Sequence, residues 1–362
     1  MNVSTSEAAS AAQTKADDRT QFVNHQLSFN GSWYRNLLNS GRDVEAVVNG
    51  RKAAYLTRWS EAGRYIGQGG RILDIGGGNL YPELLQYFKA MNWDYWYIDV
   101  GQPQVAGSAQ TAAAFGFDPA HFSCGLNHEL HYPDHHFDAV FSSHCLEHSM
   151  DLKLTLTQLN HILRDGGNVV ASVPFGWDPL PAHPYFMLEN EWLALFEDAG
   201  FRIRAYQISG EYAENTQDLM IAAQKCGPVA ANFRLDPFDY AKDRFAFHDF
   251  RSPEITYRGS QHRLDDRIIL QGSDWEIEFP LPPGVREALP VFIRHNWSGV
   301  ACVESGTQKI YCDLFRMQWT IQPARLKLAA PAQAGQTLRI SPAGKNDISL
   351  SSQVVFCGYM CR

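Results

Sequence analysis

The segment 71–81 reads Arg-Ile-Leu-Asp-Ile-Gly-Gly-Gly-Asn-Leu-Tyr, and it decides the fold of the first half of the chain. It predicts an apolar strand that carries an acid, Asp74, and passes directly into three glycines at 76–78. A helix-forming run follows from Pro82. Because glycine has no Cβ, the backbone can turn tightly here and approach a ligand closely. We therefore expect a bound molecule to contact the main chain at this turn.

Composition and charge limit the class of protein. The 362 residues suit two domains, and an apolar share of 45% is typical of a globular protein with buried cores. With 31 basic against 39 acidic residues, the net charge of -8 disfavours nucleic acid as the partner. No apolar run approaches the roughly 20 residues of a membrane span, and the first residues do not have the pattern of a signal peptide. Seven cysteines without a Cys-x-x-Cys pair favour reduced thiols, so we expect a cytoplasmic protein with no membrane partner.

Short apolar strands alternate with amphipathic helices on both sides of the glycine turn. This alternation is typical of an α/β fold with a doubly wound, mostly parallel sheet. Asp165-Gly166-Gly167 and Asp198-Ala199-Gly200 are predicted to mark places where a helix stops and a buried strand begins. The predicted strands are 71–75, 95–100, 137–142, 168–173, 201–208 and 219–224, and the predicted helices include 82–91, 152–164 and 190–199.

The sequence pattern divides the chain into four parts. Residues 1–18 are polar and aperiodic, which predicts a disordered tail. Residues 19–225 are predicted to form the α/β domain, which begins with a helical cap whose aromatic residues recur at spacings of three and four. Residues 226–262 are predicted to be a linker. Residues 263–362 consist of short alternating strands with Pro and Gly turns, which predicts an all-β, sandwich-like C-terminal domain.

The spacing of acids and glycines discriminates between nucleotide ligands. A dinucleotide fingerprint requires glycine at its first, third and sixth positions, and the sixth position counted from Gly76 is Tyr81. The turn instead has an acid two residues before its first glycine, in an Asp-x-Gly-x-Gly pattern. Asp99 closes the second predicted strand, 21 residues after Gly78, where a carboxylate can accept both hydroxyls of a ribose. The pattern therefore disfavours a nicotinamide dinucleotide.

The Asp-x-Gly-x-Gly pattern resembles the first motif of class I S-adenosylmethionine-dependent methyltransferases, in which the acid orients the turn and helps to hold the amino group of the ligand. The segment 125–140 looks like the adenine-side loop and fourth strand of that family, and 137–151 is similar to the signature of the methyltransferase type 11 group. The resemblance covers roughly residues 50–225. It implies a Rossmann-like methyltransferase fold with S-adenosylmethionine as the cofactor. The cofactor-binding residues that it implies are Asp74, Gly76, Gly77, Gly78, Asp99, Leu126, Asn127 and Ser143.

Two positions depart from the pattern of the family. Leu80 stands where many members have a third glycine, which implies a slightly altered approach of the ligand. Leu126 replaces an acid that often precedes the adenine. Recognition of the adenine would then depend on the main chain and on Asn127.

Methyl transfer to oxygen usually needs a base, and three histidines are candidates. His144 and Ser143 come directly after the fourth predicted strand, at the carboxyl edge where open α/β sheets bind ligands. His148 follows four residues later, and the two histidines could instead pack on the ligand and cap a helix. The resemblance implies that the loop after the fifth strand faces the acceptor, which makes His183 an equal rival and lets Tyr185 shape the pocket. No metal site is predicted, because the remaining histidines of this region lie in an exposed loop without a complete ligand set.

Three tryptophans, Trp275, Trp297 and Trp319, stand among polar residues of the C-terminal domain, including His295 and Asn296. Tryptophan in a β-sandwich is usually a core residue. The same residues could hold a sugar against their aromatic faces, and dimerisation is a third role. The sequence leaves these roles open.

The sequence as a whole predicts an S-adenosylmethionine-dependent methyltransferase that modifies an oxygen of a small molecule or a saccharide. Its C-terminal β domain would bind a glycan, as in glycan biosynthesis, or form a homo-oligomer. Two alternatives belong to other classes of protein. One is a catalytically silent ligand-binding or scaffold protein, and the other is a nicotinamide-dependent oxidoreductase.

Overall fold

The computed structural model describes residues 20–21, 23–24, 27–28, 35–41, 43–177, 183, 185–212, 216–317 and 319–362. The predicted disordered tail, residues 1–18, lies outside the described residues. The chain divides into two compact units. The first consists of Met1–Val173, Leu193–Gln207 and Leu219–Arg234, and the second consists of Pro174–Trp192, Ile208–Asp218 and Leu235–Arg362.

The described residues between 44 and 225 form five α-helices, two short 3-10 helices and seven strands. The helices are α1 (Val44–Ile66), α2 (Pro82–Ala90), α3 (Gln102–Ala114), α4 (Leu152–Ile162) and α5 (Glu189–Asp198). The strands are β1 (Arg71–Ile75), β2 (Asp94–Asp99), β3 (Phe122–Cys124), β4 (Phe137–Ser143), β5 (Leu163–Phe175), β6 (Phe201–Tyr212) and β7 (Thr216–Lys225). Within the part of the chain that the structure describes, no helix is both long enough and apolar enough to cross a membrane.

The seven strands form one sheet in the order β3-β2-β1-β4-β5-β7-β6. Strands β1 to β5 pair in parallel, with Ile75 of β1 opposite Ile98 of β2 and Ser142 of β4. The order along the sheet reverses between β1 and β4, and ligands of open α/β sheets bind outside the carboxyl ends of the strands at such a switch point. The sheet confirms the predicted Rossmann-like α/β fold.

Helix α1 packs on this sheet through its aromatic side. It begins after Asp43, whose side chain accepts a hydrogen bond from the Ala46 amide at 3.0 Å, and it ends at Gly67, which has a φ of 82°. Trp59 is fully buried, and its ring centroid lies 3.9 Å from that of Phe141 in β4. The aromatic residues that recur along α1 therefore pack the helix against the middle of the sheet.

The prediction of a helix end at 165–167 is wrong. Helix α4 ends at Ile162 and β5 begins at Leu163, so the glycine pair lies inside a strand. The pairing of β4 with β5 shifts register across this segment, and Gly166 has a φ of 75°. The two glycines accommodate a β-bulge, which needs the same backbone freedom as a helix cap. Gly200, with a φ of 84°, does separate α5 from β6 as predicted.

The second unit contains two antiparallel sheets. The strands are β8 (Ala246–Asp249), β9 (Thr256–Arg258), β10 (Gln261–Arg263), β11 (Ile268–Leu270), β12 (Glu276–Pro280), β13 (Glu287–Arg294), β14 (Val300–Ser305), β15 (Gln308–Asp313), β16 (Thr320–Pro323), β17 (Leu326–Lys327), β18 (Thr337–Pro342) and β19 (Val354–Cys361). One sheet has the order β10-β11-β19-β13-β16, with β17 on β13 and β8 on β19, and the other has the order β15-β14-β18-β12-β9. These sheets agree with the predicted β-rich C-terminal region.

A single hydrophobic core joins the two sheets. Phe292 and Phe356 contribute to it from one sheet, and Ile277, Val303 and Ile340 from the other. Alternate residues of β12 are buried, as expected for a strand with one face on a core. Strands β8 and β9 fall within the segment 226–262 that the sequence predicts as a linker, and they pair with β19 and β12. The division of the chain at 225 and 262 stays a prediction.

Candidate active site

The loop after β1 requires glycine at two positions because of the backbone conformation and at a third because of limited space. Gly76 and Gly78 have φ values of 70° and 59°, in the left-handed region that favours glycine. Gly77 is constrained by space, because a Cβ on it would lie 2.5 Å from Oδ2 of Asp74. The loop therefore holds its main chain close against the end of β1.

Asp74 is fully buried beside this loop. Its Oδ2 accepts hydrogen bonds from the Tyr95 hydroxyl at 2.7 Å and from the Tyr55 hydroxyl at 3.0 Å. Its Oδ1 is buried and has no hydrogen-bond partner among the described residues. Burial raises the pKa of Asp74 to about 7, although the two tyrosine hydrogen bonds lower it. The carboxyl group therefore changes its charge near neutral pH.

The raised pKa of Asp74 predicts that stability falls as pH rises. The carboxyl group of an unfolded chain ionises near 3.8, whereas the folded protein keeps the proton up to about pH 7. The folded state binds more protons between these values, so the free energy of unfolding decreases as pH rises from about 4 to about 7 and then levels off. Asp74→Asn keeps an acceptor for the tyrosines but cannot ionise. Without ligand, we expect it to melt above the wild type at pH 8 and to approach it at pH 4, and equal melting temperatures at pH 8 would contradict this.

Gly77→Ala should disrupt the loop. The added methyl group would meet Asp74 Oδ2 at 2.5 Å and the Tyr97 ring at 2.7 Å, so we expect a loss of about 1 to 3 kcal/mol of stability and weaker binding of nucleoside ligands. Thermal unfolding and calorimetry measure the two effects. Gly107→Ala is the matched control, because it lies within α3 with no atom within 4 Å of an added Cβ. Equal behaviour of the two variants would show that the loop tolerates a side chain.

Asp99 ends β2 next to the glycine loop. Its Oδ2 accepts from the Gly78 amide at 3.2 Å, and its Oδ1 accepts from the Gly101 amide at 3.1 Å. Burial raises the pKa of Asp99, and these backbone hydrogen bonds partly offset the effect. Each carboxylate oxygen can accept a second hydrogen bond. Asp99 therefore fixes the loop and keeps acceptor capacity for two hydroxyl groups.

Three tyrosines that the sequence analysis did not single out support the loop. The Tyr97 hydroxyl donates to the Gly78 carbonyl at 2.7 Å, and the Tyr55 hydroxyl lies 2.9 Å from the Gly77 carbonyl. Tyr95 completes the set through its bond to Asp74. The sequence could have indicated two of them, because Tyr95 and Tyr97 are two residues apart in β2 and therefore point to the same face of the sheet. Tyrosines at alternate positions next to a buried acid on the neighbouring strand are candidates for such support.

The predicted adenine-side residues lie in the loop between β3 and β4. Leu126 and Asn127 are both buried. The Asn127 side-chain amide donates to the Cys145 carbonyl at 3.1 Å, and its Oδ1 lies 3.5 Å from the Thr155 hydroxyl. This side chain therefore ties its loop to the loop after β4. Its predicted contact with adenine stays a prediction.

The loop after β4 brings two predicted histidines to one carboxylate. His144 has a φ of 52°, and its Nδ1 lies 3.3 Å from Glu147 Oε1. His148 Nε2 lies 3.9 Å from the same oxygen, and Glu147 is only 1% exposed. Ser143, the last residue of β4, is buried directly before this group. A non-glycine residue in the left-handed region costs energy and is often found at functional sites.

The remaining two predicted residues belong to the second unit. His183 and Tyr185 are both buried there, and Tyr185 forms an isolated β-bridge with Ala241. Their predicted roles toward the acceptor stay predictions.

Comparison with known families identifies the segment that contains the glycine loop. Residues 49–206 match a family model described as a methyltransferase domain, and this range contains every predicted cofactor residue from Asp74 to Ser143. The segment is a class I S-adenosylmethionine-dependent methyltransferase domain. S-adenosylmethionine is the cofactor of the methyltransferase domain. A search of curated proteins found no match.

Several solved structures are similar to about half of the chain. The Burkholderia thailandensis 1,6-didemethyltoxoflavin-N1-methyltransferase, with bound 1,6-didemethyltoxoflavin and S-adenosylhomocysteine, is 20% identical, with a TM-score of 0.44 over 56% of this chain and 90% of that chain. The 4+2 cyclase SpnF is 21% identical, with a TM-score of 0.42 over 49% and 83%. A putative methyltransferase from Bacillus halodurans is 10% identical, with a TM-score of 0.41 over 48% and 100%.

The residues of the methyltransferase domain fit this cofactor. S-adenosylmethionine has two ribose hydroxyls and an ammonium group that need acceptors. Asp99 offers both carboxylate oxygens at the end of β2, and Asp74 has a buried Oδ1 with no partner among the described residues. The positive φ values of Gly76 and Gly78 turn the main chain between these two acids.

The second unit has a cavity of about 450 Å³ with aromatic walls. Trp297 is 49% exposed at this cavity, and the Arg267 guanidinium lies 5.4 Å from the ring centroid of Trp319. Trp275, by contrast, is a core residue with 1% of its surface exposed. Polar residues at the cavity are His295, Asn296 and Gln353.

Proposed function

We propose that this protein transfers a methyl group from S-adenosylmethionine to an oxygen atom of a small molecule or saccharide. The observation that carries the proposal is the pairing of His144 Nδ1 with the buried carboxylate of Glu147 at 3.3 Å, directly after β4. Strand β4 pairs with β1, the strand that leads into the cofactor loop. An imidazole oriented by a carboxylate is an arrangement that general bases commonly use.

Asp99 and Asp74 are the proposed anchors of the cofactor. Asp99 would accept the ribose hydroxyls with the lone pairs that the Gly78 and Gly101 amides leave free. Asp74 Oδ1 would accept the ammonium group, and a positive charge there would favour the ionised carboxylate. When bound, S-adenosylmethionine supplies an activated methyl group on a good leaving group. The protein then has to align the acceptor and accept its proton.

His144 is the proposed base. If Nδ1 carries its proton toward Glu147, Nε2 is the basic nitrogen and can take the proton of an acceptor hydroxyl. The carboxylate holds the tautomer and stabilises the imidazolium that forms. His148 shares the same carboxylate at the longer distance of 3.9 Å and is the second candidate. His183 keeps its predicted role as a rival.

Two measurements test the proposal. Calorimetry should show that S-adenosylmethionine binds and NADH does not, and binding of NADH alone would favour the oxidoreductase. A transfer screen with a labelled methyl donor should then find product on hydroxyl or phenol acceptors. Transfer to amines alone would contradict the oxygen acceptor. Cofactor binding without transfer to any acceptor class would favour a catalytically silent binding protein.

We also propose that the aromatic cavity of the second unit binds a saccharide. Its 450 Å³ suits a mono- or disaccharide, the exposed Trp297 face can stack on a sugar ring, and amide and imidazole groups at the edge can bind hydroxyls. In a glycan array with the full chain, Trp297→Ala should lose the signal of the wild type. Phe238→Ala, which removes another half-exposed aromatic ring, is the control. An array without signal for the wild type would leave packing or oligomerisation as the role of this unit.

A further inference from the structure

Arg294, the last residue of β13, is a partly buried cation that forms no ion pair with the residues that the structure describes. Its Nε is buried and has no hydrogen-bond partner among the described residues, and its guanidinium forms no ion pair within that part of the chain. Burial lowers the pKa of Arg294, and the neighbouring charge of Arg316 lowers it further. An arginine side chain nevertheless stays protonated in proteins. A positive charge is therefore held here without an ion-pair partner among the described residues.

Glu189 and Asp313 are the acidic groups that act on Arg294, but neither forms an ion pair with it. Glu189 pairs with Arg316 at 3.3 Å, and Asp313 accepts from the Asn346 side chain at 2.8 Å. Cys312 stays a neutral thiol because burial raises its pKa to about 11. Removing a charge from water without an ion-pair partner has a large free-energy cost. Glu189 and Asp313 offset only part of this cost, because burial still lowers the pKa of Arg294, and a ligand anion in contact with the guanidinium would offset more.

Arg294 lines a cavity of about 330 Å³ that lies within the second unit. Phe186, Leu289 and Ile310 give it apolar walls, and its charged lining residues besides Arg294 are Arg325, Glu191 and Asp313. Arg325 is paired with Glu287 at 4.0 Å, which leaves Arg294 as the lining cation without an ion pair among the described residues. A volume of this size suits a small molecule. Apolar walls with a guanidinium on one side fit a ligand that has a flat apolar body and one oxyanion. Arginine binds carboxylates and phosphates through paired N–H groups.

We propose that this cavity is a binding site for a small organic anion, a carboxylate or phosphate ester with an apolar body, held by the unpaired guanidinium of Arg294. The site is separate from the aromatic cavity proposed for saccharides, which has a different lining. It does not depend on methyl transfer. Its ligand could act as an acceptor, a product or an effector, and binding can be measured without knowing which.

The first test uses the wild-type full chain and three probes. Benzoate and phenyl phosphate carry the proposed oxyanion, and benzamide has nearly the same shape without charge. We expect at least one of the two anions to bind in calorimetry and to raise the melting temperature, with benzamide at least about tenfold weaker. The stronger anion distinguishes a carboxylate site from a phosphate site. Equal binding of benzamide, or no binding of either anion at millimolar concentration, would overturn the proposal.

The second test replaces the cation. Arg294→Met keeps the length of the side chain and should weaken the bound anion at least about tenfold. The ligand-free variant should melt at or above the wild-type temperature, because it no longer buries a charge that the neighbouring acids compensate only in part. Arg339→Gln is the matched control, since Arg339 pairs with Glu276 and Glu304 and does not line the cavity. A lower melting temperature with unchanged anion binding would identify Arg294 as a structural residue instead, and if Arg294→Met does not fold, the benzoate and benzamide comparison still decides.

Discussion

Asp99→Asn should bind S-adenosylhomocysteine about 10- to 100-fold more weakly than the wild type does. The substitution keeps the shape of the side chain but removes its charge and turns one acceptor oxygen into a donor. The new NH2 group cannot accept from the Gly78 or the Gly101 amide that it faces, nor from a ribose hydroxyl. A charge-assisted hydrogen bond in a partly buried position contributes more than a neutral one, so the loss should be large.

The fold should survive this change. Burial raises the pKa of Asp99, which means that ionised Asp99 destabilises the ligand-free protein and that removing its charge partly offsets the loss of one backbone hydrogen bond. Asp94→Asn is the control, because Asp94 lies at the other end of β2 and forms exposed pairs with Arg71 and His121. Calorimetry with S-adenosylhomocysteine measures both variants. Unchanged affinity in Asp99→Asn would exclude this carboxylate from the cofactor site.

His144→Asn should lower kcat by about 100- to 10,000-fold while leaving S-adenosylhomocysteine affinity nearly unchanged. Asparagine is one of the few residues that tolerate the left-handed backbone of this position, where φ is 52°. The variant therefore removes the imidazole without straining the loop.

Two further variants separate catalysis from structure. His135 is also a left-handed histidine, with a φ of 56°, and it is exposed, so His135→Asn should keep full activity. Glu147→Gln should lower kcat less than His144→Asn does, because the base stays in place but loses the carboxylate that orients it. The assay uses the best acceptor from the transfer screen. Full turnover of His144→Asn at every pH would remove His144 as the base and favour His183.

Sequence patterns predict the helices and strands of the methyltransferase domain well where a segment has a clear pattern and a clear end. The apolar run at 71–75 becomes β1 at those bounds, because an acid and three glycines end it abruptly. Helix α3 and strand β3 are not predicted. The helix is rich in alanine and buries only three residues, and the strand is three residues long. The glycines at 166 and 167 show a different limit, since a bulge and a helix end require the same residue type.

The sequence predicts those residues of the candidate site that lie at the carboxyl ends of strands. Asp74, Asp99 and His144 each follow or close a strand of one parallel sheet, so their common edge follows from topology. Tyr55 and Glu147 were not predictable in this way. A hydroxyl from α1 reaches Asp74 only through tertiary packing, and a glutamate between two histidines looks like an ordinary surface acid until its burial is known.

The hydrogen bond of Tyr55 has a consequence for the order in which the domain is built. Helix α1 leaves the ribosome before β1, yet the glycine loop gains its full support only when Tyr55 reaches Asp74 and the Gly77 carbonyl. Amide hydrogen exchange in the loop should therefore report the docking of a helix that lies earlier in the chain. A shortened protein that starts at β1 would keep every residue of the cofactor motif. Its Asp74 carboxyl group would nevertheless lose the hydrogen bond from Tyr55 and the cover of α1.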